Sequence, residues 1–434
     1  MFLYILYNIF FVPAFRLAFF LGRFFNKKMK EGYEKRQNQW ELISQKMKEI
    51  DPKRKRIAFH ASSVGEWEQA APIIDRLKEI NPDLFIIASF FSPSGYNFVK
   101  NYANIDLKIY LPLDSLSNAK RFFGLIKPNL WVISKFDVWI NHLKIAAKMN
   151  IPVINTSATL SENSGRDKGL AGRLNAYAYQ YFSWIYPISE DDKKRFLKIY
   201  PQEKQLIVTG DTRFDQVFLR GEKAKKKNIL PIFADNSGIK FIGGSIWQAD
   251  EKRLFPALLV LLKKYDSLKL VLVPHEIKEH YLKEIEDFFV NFDCQRFTKF
   301  SLSGSCTSRI AIIDTIGMLA ALYAQTDIAY VGGSFTTGVH NTMEPAIFGN
   351  PVIFGSVYQN SFEAMELMKL GSAFSCANSA QMQEVLEKLI TDQTYRKQIG
   401  ENAKSLIINN IGASEKIIQQ LIKNYDFISE YHTN

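Results

Sequence analysis

From Arg56 to Phe354 the chain alternates short runs of β-branched and aromatic residues with amphipathic stretches, the pattern of parallel strands joined by helices. In the first half the spacing predicts strands at Arg56 to Phe59, Leu84 to Ser89, Leu107 to Leu111, Leu130 to Ser134, Val153 to Asn155, Ile185 to Ile188 and Leu206 to Val208. Helical patterns fall between them at Glu66 to Ile80, Leu116 to Ile126 and Val138 to Met149. A polar, Lys-rich stretch from Phe214 to Asp235 interrupts the alternation, which restarts at Lys240 and closes in a helical carboxy-terminal tail. This is an α/β pattern of two doubly wound, Rossmann-like domains, expected at 26–220 and 221–434, with ligands bound in a central cleft where the carboxyl ends of the strands meet the loops.

Residues 1–25 do not fit that alternation. They are almost wholly apolar and aromatic over the length a bilayer core requires, with Pro13 and Arg16 inside the run and the basic Arg23, Lys27, Lys28 and Lys30 after it. No basic head precedes the run and no small-x-small site follows it, which disfavours a cleaved secretory signal. The expectation is a membrane anchor, spanning or lying in the surface, that holds the body of the protein on the cytoplasmic side. A core helix of the first domain is the alternative.

Composition sharpens this picture. The 434 residues are 47% hydrophobic and 23% charged, which excludes a disordered or disulfide-framework protein. The net charge of +11 suits an anionic partner. Up to position 56 thirteen basic residues face five acidic ones, so the excess adjoins the apolar segment; a nucleic-acid partner is therefore not expected. Three cysteines without Cys-x-x-Cys spacing read as reduced thiols.

Candidate chemistry sits at predicted strand ends. In His60-Ala61-Ser62-Ser63-Val64-Gly65-Glu66-Trp67, Glu66 opens a helix, where a desolvated carboxylate can act as general base; a helix-capping glutamate is the competing reading. In Gly332-Gly333-Ser334 through His340-Asn341-Thr342-Met343-Glu344, a glycine loop and a helix start suit an anion, and the i, i+4 spacing of His340 and Glu344 predicts one shared helical face for a nucleotide. Ser245, His275, Gly317 and Met318 lie at three further strand ends. No Asp-x-Asp pair is present, so no metal and no cofactor is expected, and the nucleophile-elbow, Walker and dinucleotide fingerprints are absent.

The segments HASSVGEWEQAAPII, SPSGYNFV, VTGDTRFD, GGSIWQADE, DTIGMLA and VGGSFTTGVHNTMEPAIFGNPVIFG together resemble the 3-deoxy-D-manno-octulosonic acid (Kdo) transferases of lipopolysaccharide assembly, inverting glycosyltransferases of the GT-B fold. The resemblance implies CMP-Kdo as donor, the lipid A precursor lipid IVA as acceptor, and a site at the cytoplasmic face of the inner membrane. It implies Glu66 as catalytic base and a CMP site built from Ser245, His275, Gly317, Met318, Asn341 and Glu344, with Glu344 on the ribose. One segment departs from the commoner Glu-Thr-Glu-Leu-Trp-Pro-Asn pattern: here it reads Lys135-Phe136-Asp137-Val138-Trp139-Ile140-Asn141, so the first carboxylate has become a lysine and the second is shortened to Asp137, which stands beside Glu66 as a candidate catalytic residue whose role this departure leaves open. Two other readings stay open: a GT-B enzyme using a UDP-sugar on another lipid, and an anchored nucleotide-sugar-binding protein without turnover.

Overall fold

The computed structural model describes all residues except 1, 162–163, 227–231, 234, 236, 303 and 430–434. Two compact units are present. The first comprises Met1–Gln216 and Ile411–Asn434, the second Val217–Asn410.

The first unit holds a six-stranded parallel sheet of β1 (Arg56–Ala61), β2 (Phe85–Phe90), β3 (Leu107–Tyr110), β4 (Leu130–Ser134), β5 (Val153–Ala158) and β6 (Trp184–Pro187). Its spatial order is β3-β2-β1-β4-β5-β6. Alternation along each strand builds two cores. Ala58, Ile87, Ile109, Trp131 and Ile133 pack on one face, whereas Ile57, Phe59, Ile86, Val132 and Ile154 pack on the other. The predicted strand Leu206 to Val208 is present as one bridge from Leu206 to Ile185, continued by the Ile207 and Thr209 amides donating to the carbonyls of Ile185 and Pro187.

The second unit holds seven parallel strands: β7 (Ile239–Ile246), β8 (Leu268–Pro274), β9 (Cys294–Arg296), β10 (Ile310–Ile312), β11 (Ile328–Val331), β12 (Val352–Phe354) and β13 (Ala373–Ser375), in the order β13-β12-β11-β7-β8-β10-β9. The edge strands β9 and β13 escape a pattern reading, since three residues show no alternation. Gly332 permits close packing here, for a Cβ on it would stand 2.1 Å from the Ser245 carbonyl oxygen.

The chain divides at 216/217, near the expected 220/221, but the second unit ends at Asn410. The helix Ala413–Asn424 returns to the first unit, where Ile417, Ile418 and Leu421 complete the core beneath Val64–Ile80. Asp215 fixes its start by accepting hydrogen bonds from the Gly412 and Ser414 amides, at 2.5 and 2.8 Å.

Phe2–Gly22 is a continuous helix with mean hydropathy 1.7, long and apolar enough to cross a membrane. The basic stretch after it is a helix too, Lys27–Lys48, because Gly32, Arg36, Gln39 and Ile43 fall on one buried face. Arg36 donates to the carbonyls of Gly32, Phe91 and Leu111 and lies over Phe91 and Tyr110. Burial pulls its guanidinium down to about 10.

Candidate active site

A doubly wound sheet opens where strand order reverses, and in the first unit that point lies between β1 and β4. The loops after these two strands carry the candidate acids. Ser63 caps the helix Val64–Ile80, which turns the buried Glu66 back over the β1 loop. There its Oε2 accepts the Ser62 amide at 2.5 Å. Desolvation and then the charge of Asp137 push the Glu66 carboxyl above its ordinary range, against the opposing pull of the Ser62 amide, His60 and Lys135.

Asp137 takes the opposite shift. Burial alone would raise it, but its Oδ2 accepts from His60 Nε2 at 2.8 Å, from Trp139 Nε1 at 2.9 Å and from the Ser62 hydroxyl, and these hold it below the usual carboxylate range. His60 is fixed from behind by Ser89, whose hydroxyl lies 3.0 Å from Nδ1. Ser62 thus bonds both acids, one ionised and one poised to bind a proton, which is the separation that acid–base chemistry needs. Lys135 enters the loop at φ 68°, a left-handed conformation uncommon for a residue with a side chain. Its ammonium and the Arg166 guanidinium both lie over Phe136.

The second unit repeats the logic at its own reversal, between β7 and β11. Ser245, at φ 56°, ends the regular run of β7, and its hydroxyl stands 2.9 Å from Nδ1 of both His275 and His340. Trp247 stacks on His275 with 4.0 Å between centroids. Beside them opens a cavity of about 430 Å³ lined by Trp247, Glu251, His275, Tyr281 and Thr336 among others. Burial lowers both imidazoles, so they are neutral hydrogen-bonding groups at pH 7 that an arriving anion would tend to protonate. Asp250 holds the loops together: it is fully buried and accepts from the amides of Trp247 and Gly333, each at 2.9 Å, and from the Tyr330 hydroxyl at 2.7 Å.

One expectation for this unit changes. His340 and Glu344 do not share a helical face, because the helix begins at Met343; His340 belongs to the loop, its amide bonded to the Gly332 carbonyl. Glu344 instead meets Arg220 at 2.5 Å. Asn341 turns its Oδ1 to the Met343 amide, as a cap. Gly317, at φ 87°, and Met318 sit in the loop after β10, where the Met318 sulfur lies 3.2 Å from the Thr315 hydroxyl and a side chain at 317 would meet open space.

Sequence reasoning missed His60, Ser62 and Trp139 as partners of Asp137. It also missed Asp250, although Trp-x-x-Asp at a helix start was a signal for a carboxylate reaching back to the cap amide.

Residues 34–216 match the family model described as 3-deoxy-D-manno-octulosonic-acid transferase. The 3-deoxy-D-manno-octulosonic acid transferase of Haemophilus influenzae is 28% identical over 85% of this chain and 87% of its own length. That of Chlamydia muridarum is 24% identical over 96% of both. The UDP-GlcNAc 2-epimerase of Neisseria meningitidis, solved with UDP-GlcNAc, superposes with a TM-score of 0.62 at 20% identity over 85% of this chain and all of that one, a likeness of fold. With two Rossmann-like sheets of GT-B type, and acids and imidazoles at the two strand-order reversals, the chain is similar to the 3-deoxy-D-manno-octulosonic acid transferases over most of its length.

Proposed function

We propose that the protein transfers Kdo from CMP-Kdo to a lipid A precursor, lipid IVA, with inversion, at the cytoplasmic face of the inner membrane. The observation that carries this reading is the pair of oppositely shifted acids on Ser62: Glu66 raised and Asp137 lowered. Glu66 removes the proton from the acceptor hydroxyl as that oxygen bonds to the anomeric carbon. The bond from that carbon to the CMP phosphate oxygen breaks on the opposite face, and its electron pair leaves with CMP. Asp137, kept ionised by His60, Ser62 and Trp139, favours the protonated form of Glu66 that results.

In the second unit Ser245, His275 and His340 bind the leaving phosphate, each imidazole able to become a cation as charge develops. Glu344, held by its ion pair with Arg220, accepts from the ribose hydroxyls, and Asn341, Gly317 and Met318 border the nucleotide. The exposed apolar side of Phe2–Gly22 and the basic residues after it draw the protein to an anionic lipid surface.

The test is transfer from CMP-Kdo generated in situ to tetra-acylated lipid IVA in detergent, read by mass spectrometry, with CMP and UDP as competitors. Kdo-bearing product, inhibited by CMP and not by UDP, supports the reading. UDP inhibition without Kdo transfer means another donor; CMP binding without product means a binding protein.

A further inference from the structure

The apolar amino-terminal helix has two faces with different surroundings. On one, Phe2, Ile9, Phe10, Leu17 and Leu21 are exposed. On the other, Tyr4 and Tyr7 are buried and donate their hydroxyls to Asn141 Oδ1 at 2.8 Å and to Asp114 Oδ2 at 2.7 Å. Asp114 is itself buried and also accepts from the Asn141 amide and from the amide and Nδ1 of His142. A flexible tether needs none of these bonds, and leaving them would strand a buried carboxylate short of a donor.

Two turns on, the same face reaches the candidate site. The Phe15 ring lies 5.8 Å from Trp139 and 6.2 Å from Phe91, and Phe91 stacks on Trp139 at 4.9 Å. Trp139 Nε1 in turn donates to Asp137. Contact therefore runs without a gap from the membrane-seeking helix through an aromatic cluster to the acid whose charge raises Glu66.

Building on the proposed transfer reaction, we propose that this helix is part of the acceptor-side apparatus: Phe15 is a positioning residue that, with Phe91, fixes the Trp139 indole and so the placement of Asp137 opposite Glu66. The Lys135–Asn141 loop has departed from the commoner pattern and opens in a left-handed conformation, so it draws its order from this packing. The helix then lies along the first unit with its outer face toward lipid, and docking it assembles the site.

The test uses the full chain in detergent with three variants. Phe15→Ala should lower kcat on the order of 10- to 100-fold, the penalty of a catalytic group misplaced by about 1 Å, while the KM for CMP-Kdo stays within about twofold. Hydrogen–deuterium exchange across residues 135–141 should rise in the same variant. Phe15→Tyr, which keeps the ring, should restore both. Phe10→Ala, on the exposed face, should weaken binding to vesicles containing anionic lipid and leave kcat and exchange alone.

The proposal is overturned if Phe15→Ala matches the parent in kcat, or if Phe10→Ala loses as much kcat as Phe15→Ala. It is also overturned if exchange at 135–141 is unchanged by Phe15→Ala. Should the parent fail to transfer Kdo, the proposed function falls, and the exchange measurement alone decides whether the helix orders the loop.

Discussion

Glu66→Gln separates a base from a cap, because the two roles predict opposite signs for stability. A capping carboxylate gains about 0.3–1 kcal/mol from the helix dipole, so its amide would melt earlier wherever the acid is ionised. The structure predicts the reverse. Burial and the neighbouring Asp137 raise the carboxyl above its ordinary 4.5, so the folded chain holds this proton more tightly than the unfolded chain does. The stability linked to Glu66 is therefore fully present below the unfolded value and declines as pH rises through the native one.

Glutamine keeps an oxygen for the Ser62 amide and has no charge to desolvate or to face Asp137. The variant should be more stable than the parent near pH 7.5, with the gap closing toward pH 4. Its kcat should fall by about 10²–10⁴, the usual contribution of a general base, or roughly 2.7–5.5 kcal/mol in the barrier. Melting curves across that pH range, with initial rates of Kdo transfer, measure both quantities. A variant that melts earlier than the parent near pH 7.5, or that retains about a third of the parent kcat, would refute the reasoning.

The parent's kcat should itself climb with pH through the raised Glu66 value, since only the ionised form accepts a proton; a rate flat across that limb places the base elsewhere. Calorimetry of CMP binding near pH 6 in buffers of different ionisation enthalpy should show net proton uptake, because a phosphate beside His275 and His340 reverses their lowered affinity for protons. Tyr7→Phe removes one of the donors on buried Asp114 and should destabilise the first unit by about 1.5–3 kcal/mol in urea unfolding. Gly332→Ala drives a Cβ into the Ser245 carbonyl and should abolish CMP binding even where folded protein can be recovered.

The strands were legible because buried parallel strands are continuous apolar runs: Leu130–Ser134 appears in the fold with the limits its pattern predicts. Helix ends were less so, since the one that pattern placed at Val138 begins at Ile140 once Val138 and Trp139 are drawn into the site loop. Glu66 and Ser245 were recognisable from their places after a strand, but their partners were not. His60 pairs with Asp137 across 77 positions and Ser245 with His340 across 95, distances over which no local pattern carries information. The helix in the basic stretch after the first one was not legible because its buried face is built from Gly, Arg, Gln and Ile, and the carbonyls of Phe91 and Leu111 that Arg36 serves follow distant strand ends.

The return of Ala413–Asn424 to the first unit makes the second unit an insertion in the chain's architecture, entered at 216/217 and left at 410/411. During synthesis the core around Ile57 and Phe59 must wait for Ile417, Ile418 and Leu421, whose helix follows the second unit, while everything from Val217 to Asn410 is already available to fold. A fragment ending near Asn410 would leave that face of the first unit uncovered, whereas 217–410 carries its own sheet and cores and is the piece to express alone. Removing the carboxy terminus, seemingly the gentlest truncation, strikes the half that carries Glu66.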